Sequence, residues 1–261
     1  FSRSSYIGAH RYGGIWTGDN ASTWEMLRQN VYHMPSLNMC GFLYTGADTG
    51  GFGGNSNREL LLRWLAVSVF TPLMRNHSAI FTKNQECYRF RQPEDFRTIV
   101  SLRYRLLPYL YSEFMKAALR RNMYIKPLAF DYPEDGKARE IEDQLMVGES
   151  VMIAPILEQG AKGRIVYLPE PMTEVRYGSD GFTCINVGAG ERTVMAPLNQ
   201  VVFYIRQGKL VPVGKPAANT AELDLLDVEL LGTGSVYEQY VDDGSTKRCG
   251  LEHCVIRRRE A

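Results

Sequence analysis

No apolar run in this chain approaches 18 residues, so nothing in it reads as a membrane-spanning helix. No Cys-x-x-Cys pair occurs, which removes the spacing that zinc ribbons and thioredoxin-like sites use. Gly-Lys-Ser, Gly-Lys-Thr and G-x-G-x-x-G are also missing, so phosphate-cradling and dinucleotide loops lack their signatures. Charge of one sign is lacking too. With 30 basic and 29 acidic side chains the formal net charge is +1, leaving no net field to steer a nucleic acid. The one basic run, Arg257-Arg258-Arg259, reads as a solvated strand end.

What is present is ordinary globular material. The 261 residues, 44% hydrophobic and 23% charged, can bury a sizeable core in one large domain or two medium ones. The five cysteines are an odd number and widely scattered; they read as free thiols, which favours a reducing, cytoplasmic setting. The chain opens at Phe1 rather than Met, straight into patterned sequence. That suggests a fragment, from which an upstream signal peptide could be missing.

From residue 1 to about 150, short β-prone runs alternate with helical patterns, the texture of strand–helix units and a parallel sheet. Ser22-Thr23-Trp24-Glu25 reads as a capping box opening a helix that Pro35 ends. The run Met39–Thr45 reads as a buried strand. Ser56-Asn57-Arg58-Glu59 opens a second helix, Leu60–Val69. A long helical pattern covers about 95–121, where Pro108 should kink or divide it. After residue 150, Gly and Pro turns separate short β-rich runs, which reads as an all-β accessory domain. Lys215–Thr220 reads as a linker to a further β-domain that the chain end cuts short.

Several residues could carry chemistry. Asp19 follows an apolar strand, with Trp16 three residues before it, where the strand hands over to a helix. In an α/β barrel that edge gathers catalytic groups, and an indole beside a carboxyl disfavours its ionised form, as a general acid requires. The same aspartate could equally help cap the following helix. Asp48 lies in a loop rich in glycine, where the backbone can approach a ligand and the carboxylate can accept sugar hydroxyls; a plain turn aspartate is the alternative. Arg75 and His77, two apart on a strand-like stretch, offer donors on one face, unless His77 is a core histidine bonded to backbone. His33 reads as a helix C-terminal residue, His253 as a strand residue, and His10 is undetermined. Asp242-Asp243-Gly244-Ser245 lacks EF-hand spacing and reads as a hairpin turn. Tyr177, Tyr204, Tyr237 and Tyr240 could stack on sugars or simply pack.

Taken together and in order, these blocks resemble glycoside hydrolase family 31. Arg3-Ser4-Ser5 and then Arg11-Tyr12-Gly13-Gly14-Ile15-Trp16-Thr17-Gly18-Asp19-Asn20 resemble that family's block ending in W-[ST]-G-D-N. Gly46-Ala47-Asp48-Thr49-Gly50-Gly51-Phe52 resembles its D-[IL]-G-G-F block, with Thr49 where an aliphatic residue is usual. Arg75-Asn76-His77 matches its R-N-H block. Asp143–Gly148 with Ala154-Pro155-Ile156 resembles the D-Q-F-x-x-G…A-P-V run, and Tyr240–Gly244 the distal Y-x-D-D-G turn. The flavour is that of a bacterial α-glucosidase.

The resemblance implies the C-terminal part of a (β/α)8 TIM barrel over 1–150, a proximal β-sandwich over 151–216 and the start of a distal β-domain over 217–261. It implies a retaining, exo-acting enzyme that releases glucose from α-glucoside oligosaccharides without metal or organic cofactor. Asp19 aligns with the general acid/base. Arg3, Asp48 and His77 align with residues that hydrogen-bond the glycone, and Trp16, Phe52 and Arg75 with residues that wall or brace it. The family's nucleophile is the aspartate of a W-x-D-M-N-E block, and no aspartate here has that surrounding. It is expected on the missing N-terminal half, so this chain alone should be inactive. Other specificities of the family remain open (α-xylosidase, α-galactosidase, transglucosylase, sulfoquinovosidase), as does a non-catalytic sugar-binding or structural role.

Overall fold

The structure, a computed structural model, describes residues 1–259. Its first part is three strand–helix units. They run Ile15–Trp16 (β1), Trp24–Met39 (α1), Thr45–Asp48 (β2), Arg58–Ser68 (α2), Leu73–Arg75 (β3) and Pro93–Arg120 (α3). The strands form one parallel sheet in the order β1-β2-β3, pairing Ile15 with Thr45 and Asp48 with Arg75. Among the described residues the sheet is open and no barrel closes.

Local chemistry accounts for these elements, with corrections to the sequence expectations. Helix α1 is capped by Thr23, whose hydroxyl accepts from the Met26 amide at 3.2 Å. Ser22 is not the cap. Its amide donates to the Gly53 carbonyl at 2.7 Å, in a bridge between Ala21 and Gly53, and Glu25 turns to Gln29 instead. Nor does Pro35 end α1: it is buried beside Met34 in the core, and packing outweighs the lost backbone bond as the helix runs on to Met39. His33 is therefore an exposed mid-helix residue. Strand β2 starts at Thr45, six residues later than the apolar run suggested. It is fully buried, and a Cβ on Gly46 would lie 2.2 Å from the Leu73 carbonyl oxygen, so small residues rather than bulky apolar ones are required. Asn57 caps α2 through the Leu60 amide at 2.9 Å.

Helix α3 stays one element of 28 residues through Pro108, which is buried. It acts as a spine. Arg103 donates to the carbonyls of Val69, Thr71 and Pro72 at 2.9, 2.7 and 3.1 Å, holding the entry to β3. Burial lowers the proton affinity of its guanidinium. On the α2 side, Arg63 is buried and donates to the carbonyls of Ala161 and Ala196, both at 2.9 Å, tying α2 to the β-rich part of the chain.

The rest is antiparallel. Its strands are Ile125–Pro127 (β4), Leu145–Val147 (β5), Val151–Ile153 (β6), Gly163–Leu168 (β7), Met172–Gly178 (β8), Gly181–Val187 (β9), Gly190–Met195 (β10), Val201–Arg206 (β11), Leu210–Gly214 (β12), Val228–Gly232 (β13), Val236–Tyr240 (β14) and Cys254–Arg258 (β15). A six-stranded sheet runs β4-β5-β6-β11-β8-β9, with β7/β10, β12/β13 and β14/β15 as separate pairs. Two boundary expectations change. Because β4 and β5 hydrogen-bond into the six-stranded sheet, that sheet begins upstream of residue 150. Across Lys215–Thr220, β12 pairs directly with β13, so this stretch connects partners within one hairpin. The central strands are buried on both faces: Leu145 and Val147 enter a large core shared with α1, α2 and α3, while Met146 enters a smaller core with Leu128, Val166 and Tyr204.

Strands β14 and β15 do pair antiparallel, but through residues 241–253 rather than a tight turn. Within that loop Asp243 accepts from the Thr246 hydroxyl and from the amides of Thr246 and Ser245, which together depress the proton affinity of its carboxyl. His253 ends a 3-10 turn instead of lying in a strand, and its ring packs on Tyr240. All four tyrosines weighed as sugar platforms are buried. Arg257, expected to be solvated, donates to the Gln239 side chain at 2.7 Å.

Candidate active site

Asp48 is the last residue of β2 and Arg75 the last of β3, directly paired across the sheet. Asp19 follows β1 by three residues and His77 follows β3 by two. Three adjacent parallel strands thus deliver the predicted residues to one rim, their C-terminal ends.

Asp48 is buried, with its side chain 1% exposed. One carboxylate oxygen, Oδ1, accepts from Arg75 Nε at 2.7 Å, while Oδ2 is buried with no hydrogen-bond partner. Burial pushes the Asp48 carboxyl above its ordinary value; Arg75 and His77 oppose this, and the charge of Asp19 adds to it. The Arg75 guanidinium also lies over the Trp16 ring, 5.4 Å from its centroid, and the Trp16 indole nitrogen is likewise buried and unpartnered. Arg75 therefore braces Asp48 and Trp16 rather than projecting freely. The rings of Phe52 and His77 lie 5.1 Å apart. His77 is exposed, not a core histidine.

Asp19 departs from expectation. Its side chain is 46% exposed and pairs with Arg3 at 3.2 Å, so Trp16 does not desolvate it within this chain. The reason is local: Gly18 adopts φ +83°, which swings Asp19 off the strand path, while the indole is engaged by Arg75. An exposed pair such as Arg3–Asp19 contributes little and opens readily. A cavity of about 1000 Å³ lies at the other end of β2, lined by His10, Tyr44, Phe114 and Phe130 among others, and by none of the predicted residues. Among the described residues no cluster of three or more potential metal ligands occurs, and all five cysteines are free.

The loops that carry these groups are cross-tied by residues to which sequence reasoning gave no role. The Asn20 carbonyl accepts from the amides of Phe52 and Gly53 at 2.7 and 3.0 Å, joining the Asp19 turn to the Asp48 loop. The Asn20 side chain bonds Thr17 and Asn30. Gly50 and Gly51 both take φ +91°, and a Cβ on Gly51 would meet the Ser22 backbone at 2.6 Å. Only glycine fits there. Thr49, the departure from the expected aliphatic residue, is buried and shares a 3.0 Å hydrogen bond with Ser68. Gln85, also buried, spans the Asp48 loop and Asn76. The only sequence signal for Asn20 was its place beside Asp19; Gln85 had none, since its partners are distant in the chain.

Comparison with known proteins shows the family of the chain. The sequence model described as "Glycosyl hydrolases family 31 TIM-barrel domain" matches residues 1–113, and "Glycosyl hydrolase family 31 C-terminal domain" matches residues 121–211. The chain belongs to glycoside hydrolase family 31. It is 35% identical over 253 residues to a probable alpha-glucosidase of Oryza sativa subsp. japonica, covering 94% of this chain and 28% of that protein. To the lysosomal alpha-glucosidase of Bos taurus it is 35% identical over 266 residues, covering 94% and 28%. Among solved structures, a glucosidase II alpha subunit superposes with a TM-score of 0.84 at 28% identity, over 96% of this chain and 28% of that one. The family 31 alpha-xylosidase of Xanthomonas citri gives 0.75 at 25% identity, over 88% and 27%. The chain thus spans little more than a quarter of the length of these relatives.

Proposed function

We propose that this chain is the later part of a retaining α-glucosidase, with Asp19 as general acid/base. Strands β1, β2 and β3 are then the later strands of a (β/α)8 barrel. The antiparallel part is the accessory β-domains, a proximal one that takes in β4 and β5 and a distal one that follows it without a separate linker at Lys215–Thr220. The polypeptide that completes the barrel supplies the nucleophile and covers Asp19. The observation that carries the reading is Asp48: a buried carboxylate on the strand-end rim, one oxygen held by Arg75 and the other without a partner. A sugar hydroxyl donating to that oxygen would satisfy it, and reaching it requires the rim over Asp48 to open, since the oxygen is closed to solvent in this chain.

In this reading Asp48, Arg3 and His77 hold the glycone, while Trp16, Phe52 and Arg75 wall or brace it. Asp19 protonates the leaving glycosidic oxygen and then takes a proton from the attacking water. The nucleophile sits about 5–5.5 Å away across the anomeric carbon and forms the covalent glycosyl intermediate. Hydrogen bonds that tighten as the ring flattens favour the transition state over the bound substrate. The exposure of Asp19 fits a group whose desolvating wall belongs to the rest of the enzyme. Glucose is the favoured glycone because the rice and bovine relatives are α-glucosidases; the alpha-xylosidase neighbour keeps xylose as the second reading.

The test is Asp19→Ala in the full-length protein. Turnover of maltose should fall by about 10²–10⁴-fold. An aryl α-glucoside with an activated leaving group should lose far less in its first step, since its departure needs no proton. Equal losses on both substrates remove Asp19 from the acid/base role.

A further inference from the structure

Gln85 stands outside every motif so far assigned, yet its amide side chain is buried, 4% exposed. Its Nε2 donates to the carbonyl oxygens of Thr49 at 3.0 Å and Gly51 at 3.3 Å, and to Asn76 Oδ1 at 3.0 Å. Asn76 answers with its own Nδ2, which donates to the Gln85 carbonyl at 2.7 Å. The first two acceptors flank Gly50 in the loop immediately after Asp48. The third lies between Arg75 and His77. A Cβ on Gly50 would stand 2.7 Å from Leu61 Cδ1 and 2.8 Å from Gln85 Nε2, so a side chain there would press on the amide. Two further bonds close the same circuit: the Thr49 amide donates to the Arg75 carbonyl at 2.8 Å, and the Ala79 amide to the Phe52 carbonyl at 2.9 Å.

We propose that Gln85, paired with Asn76, is a positioning residue that locks the Asp48 loop to the Arg75–His77 segment and so sets the spacing of the glycone's hydrogen-bonding groups. The proposal rests on the sugar-site reading above for its catalytic consequence, though not for the clamp itself. The chemistry is specific to an amide. Three acceptors converge on a nitrogen with two N–H groups, one of them shared between the Thr49 and Gly51 carbonyls, so a carboxylate of the same shape would face carbonyl oxygens with an acceptor and repel them, and leucine would leave them without their donor. A displacement of about 1 Å in such a frame costs on the order of 10²-fold in rate. Since Asp19 lies on another loop, the loss should not depend on the leaving group.

The experiment uses the full-length protein and the variants Gln85→Leu, Gln85→Glu, Asn76→Ala and the double variant Gln85→Leu/Asn76→Ala. For Gln85→Leu, kcat/KM should fall by about 10²-fold, equally for maltose and for an activated aryl α-glucoside. Binding of the iminosugar 1-deoxynojirimycin should weaken with it. Gln85→Glu should be no better than Gln85→Leu. The double variant should lose no more than the worse single one, because the two residues act as a unit. Hydrogen exchange should quicken in residues 49–53 and 76–79 together, with the rest of the protein unchanged; that readout needs no substrate. If Gln85→Leu leaves kinetics and exchange at parental levels, or if the two single losses multiply, the clamp is overturned while the sugar-site reading stands. If the parent hydrolyses no α-glucoside, the sugar-site reading falls, and the exchange data alone decide whether Gln85 clamps the two segments.

Discussion

Burial raises the proton affinity of Asp48 even though Arg75 donates to it, so the site is poised at a cost in stability. A carboxyl with a raised folded value keeps its proton over a pH range where the unfolded chain has lost it. Its contribution is therefore most favourable below the ordinary carboxylate value and declines as pH rises through the raised one. Asp48→Asn should then unfold at a temperature equal to or above the parent's near about pH 7, with that advantage gone near about pH 3. The same change should weaken iminosugar binding, on the order of 10²-fold. Thermal unfolding at the two pH values and an inhibition constant check both halves; a clear loss of stability near neutrality contradicts the argument. Thr49 gives a second test. Thr49→Ile restores the aliphatic residue the family resemblance led us to expect but strands the buried Ser68 hydroxyl, which should cost about 1–3 kcal/mol. Adding Ser68→Ala should recover most of it, as denaturation midpoints will tell. At this scale Asp48 and Arg75 were legible because adjacent strand ends bring them together. The solvation of Asp19 was not, because it depends on where Gly18 turns the chain and on which neighbour holds Trp16.

The spine helix α3 concentrates the element-scale energetics. Glu113 and Lys116, one turn apart and both nearly inaccessible, pair at 2.6 Å. The Tyr237 hydroxyl on β14 donates to Glu113 at 2.7 Å, and the Glu149 amide donates to its other oxygen at 2.9 Å. Burial and the Glu113 charge push the Tyr109 and Tyr237 hydroxyls well above their ordinary values. This cluster joins α3, the β5–β6 turn and the β14/β15 pair. Removing one charge leaves the other buried and alone, so Lys116→Met should cost about 3–5 kcal/mol, and Glu113→Gln/Lys116→Met markedly less. Urea denaturation measures both; a double variant as unstable as the single one contradicts the pairing argument. The three helices α1, α2 and α3, strand β2 and some of the later strands were legible from periodicity and turn residues, whereas β4, β5 and β8 to β10 were not singled out. Element ends were not legible: Pro35 and Pro108 sit where core packing outweighs local helix chemistry. Strand β2 is built of small residues because its neighbours press on both sides, which a search for bulky apolar runs passes over.

Over the whole molecule, one core runs from α1 through α3 into the six-stranded sheet, so the α/β and β parts are packed together rather than strung on a linker. The resemblance in five ordered blocks reached this family from sequence, since each block marks a strand end or turn whose geometry few residues satisfy. The join between the parts was less legible, because β4 and β5 lie in a stretch whose texture resembles what precedes it. The proposal assigns the nucleophile to polypeptide outside this chain, so the pure 261-residue protein should hydrolyse no α-glucoside, and measurable turnover would contradict that assignment. The open edges of the three-stranded sheet and exposed side chains such as Ile7, Ile80 and Phe81 predict that it self-associates, which light scattering can check.

In the proposed mechanism Asp19 moves the proton while another carboxylate holds the sugar. Full-length Asp19→Ala, given an activated aryl α-glucoside and azide, should regain turnover and release the α-glucosyl azide, because azide attacks the covalent intermediate from the face the missing base has left open. Release of the β-azide would make Asp19 the nucleophile instead, and no rescue by azide would remove it from the chemistry.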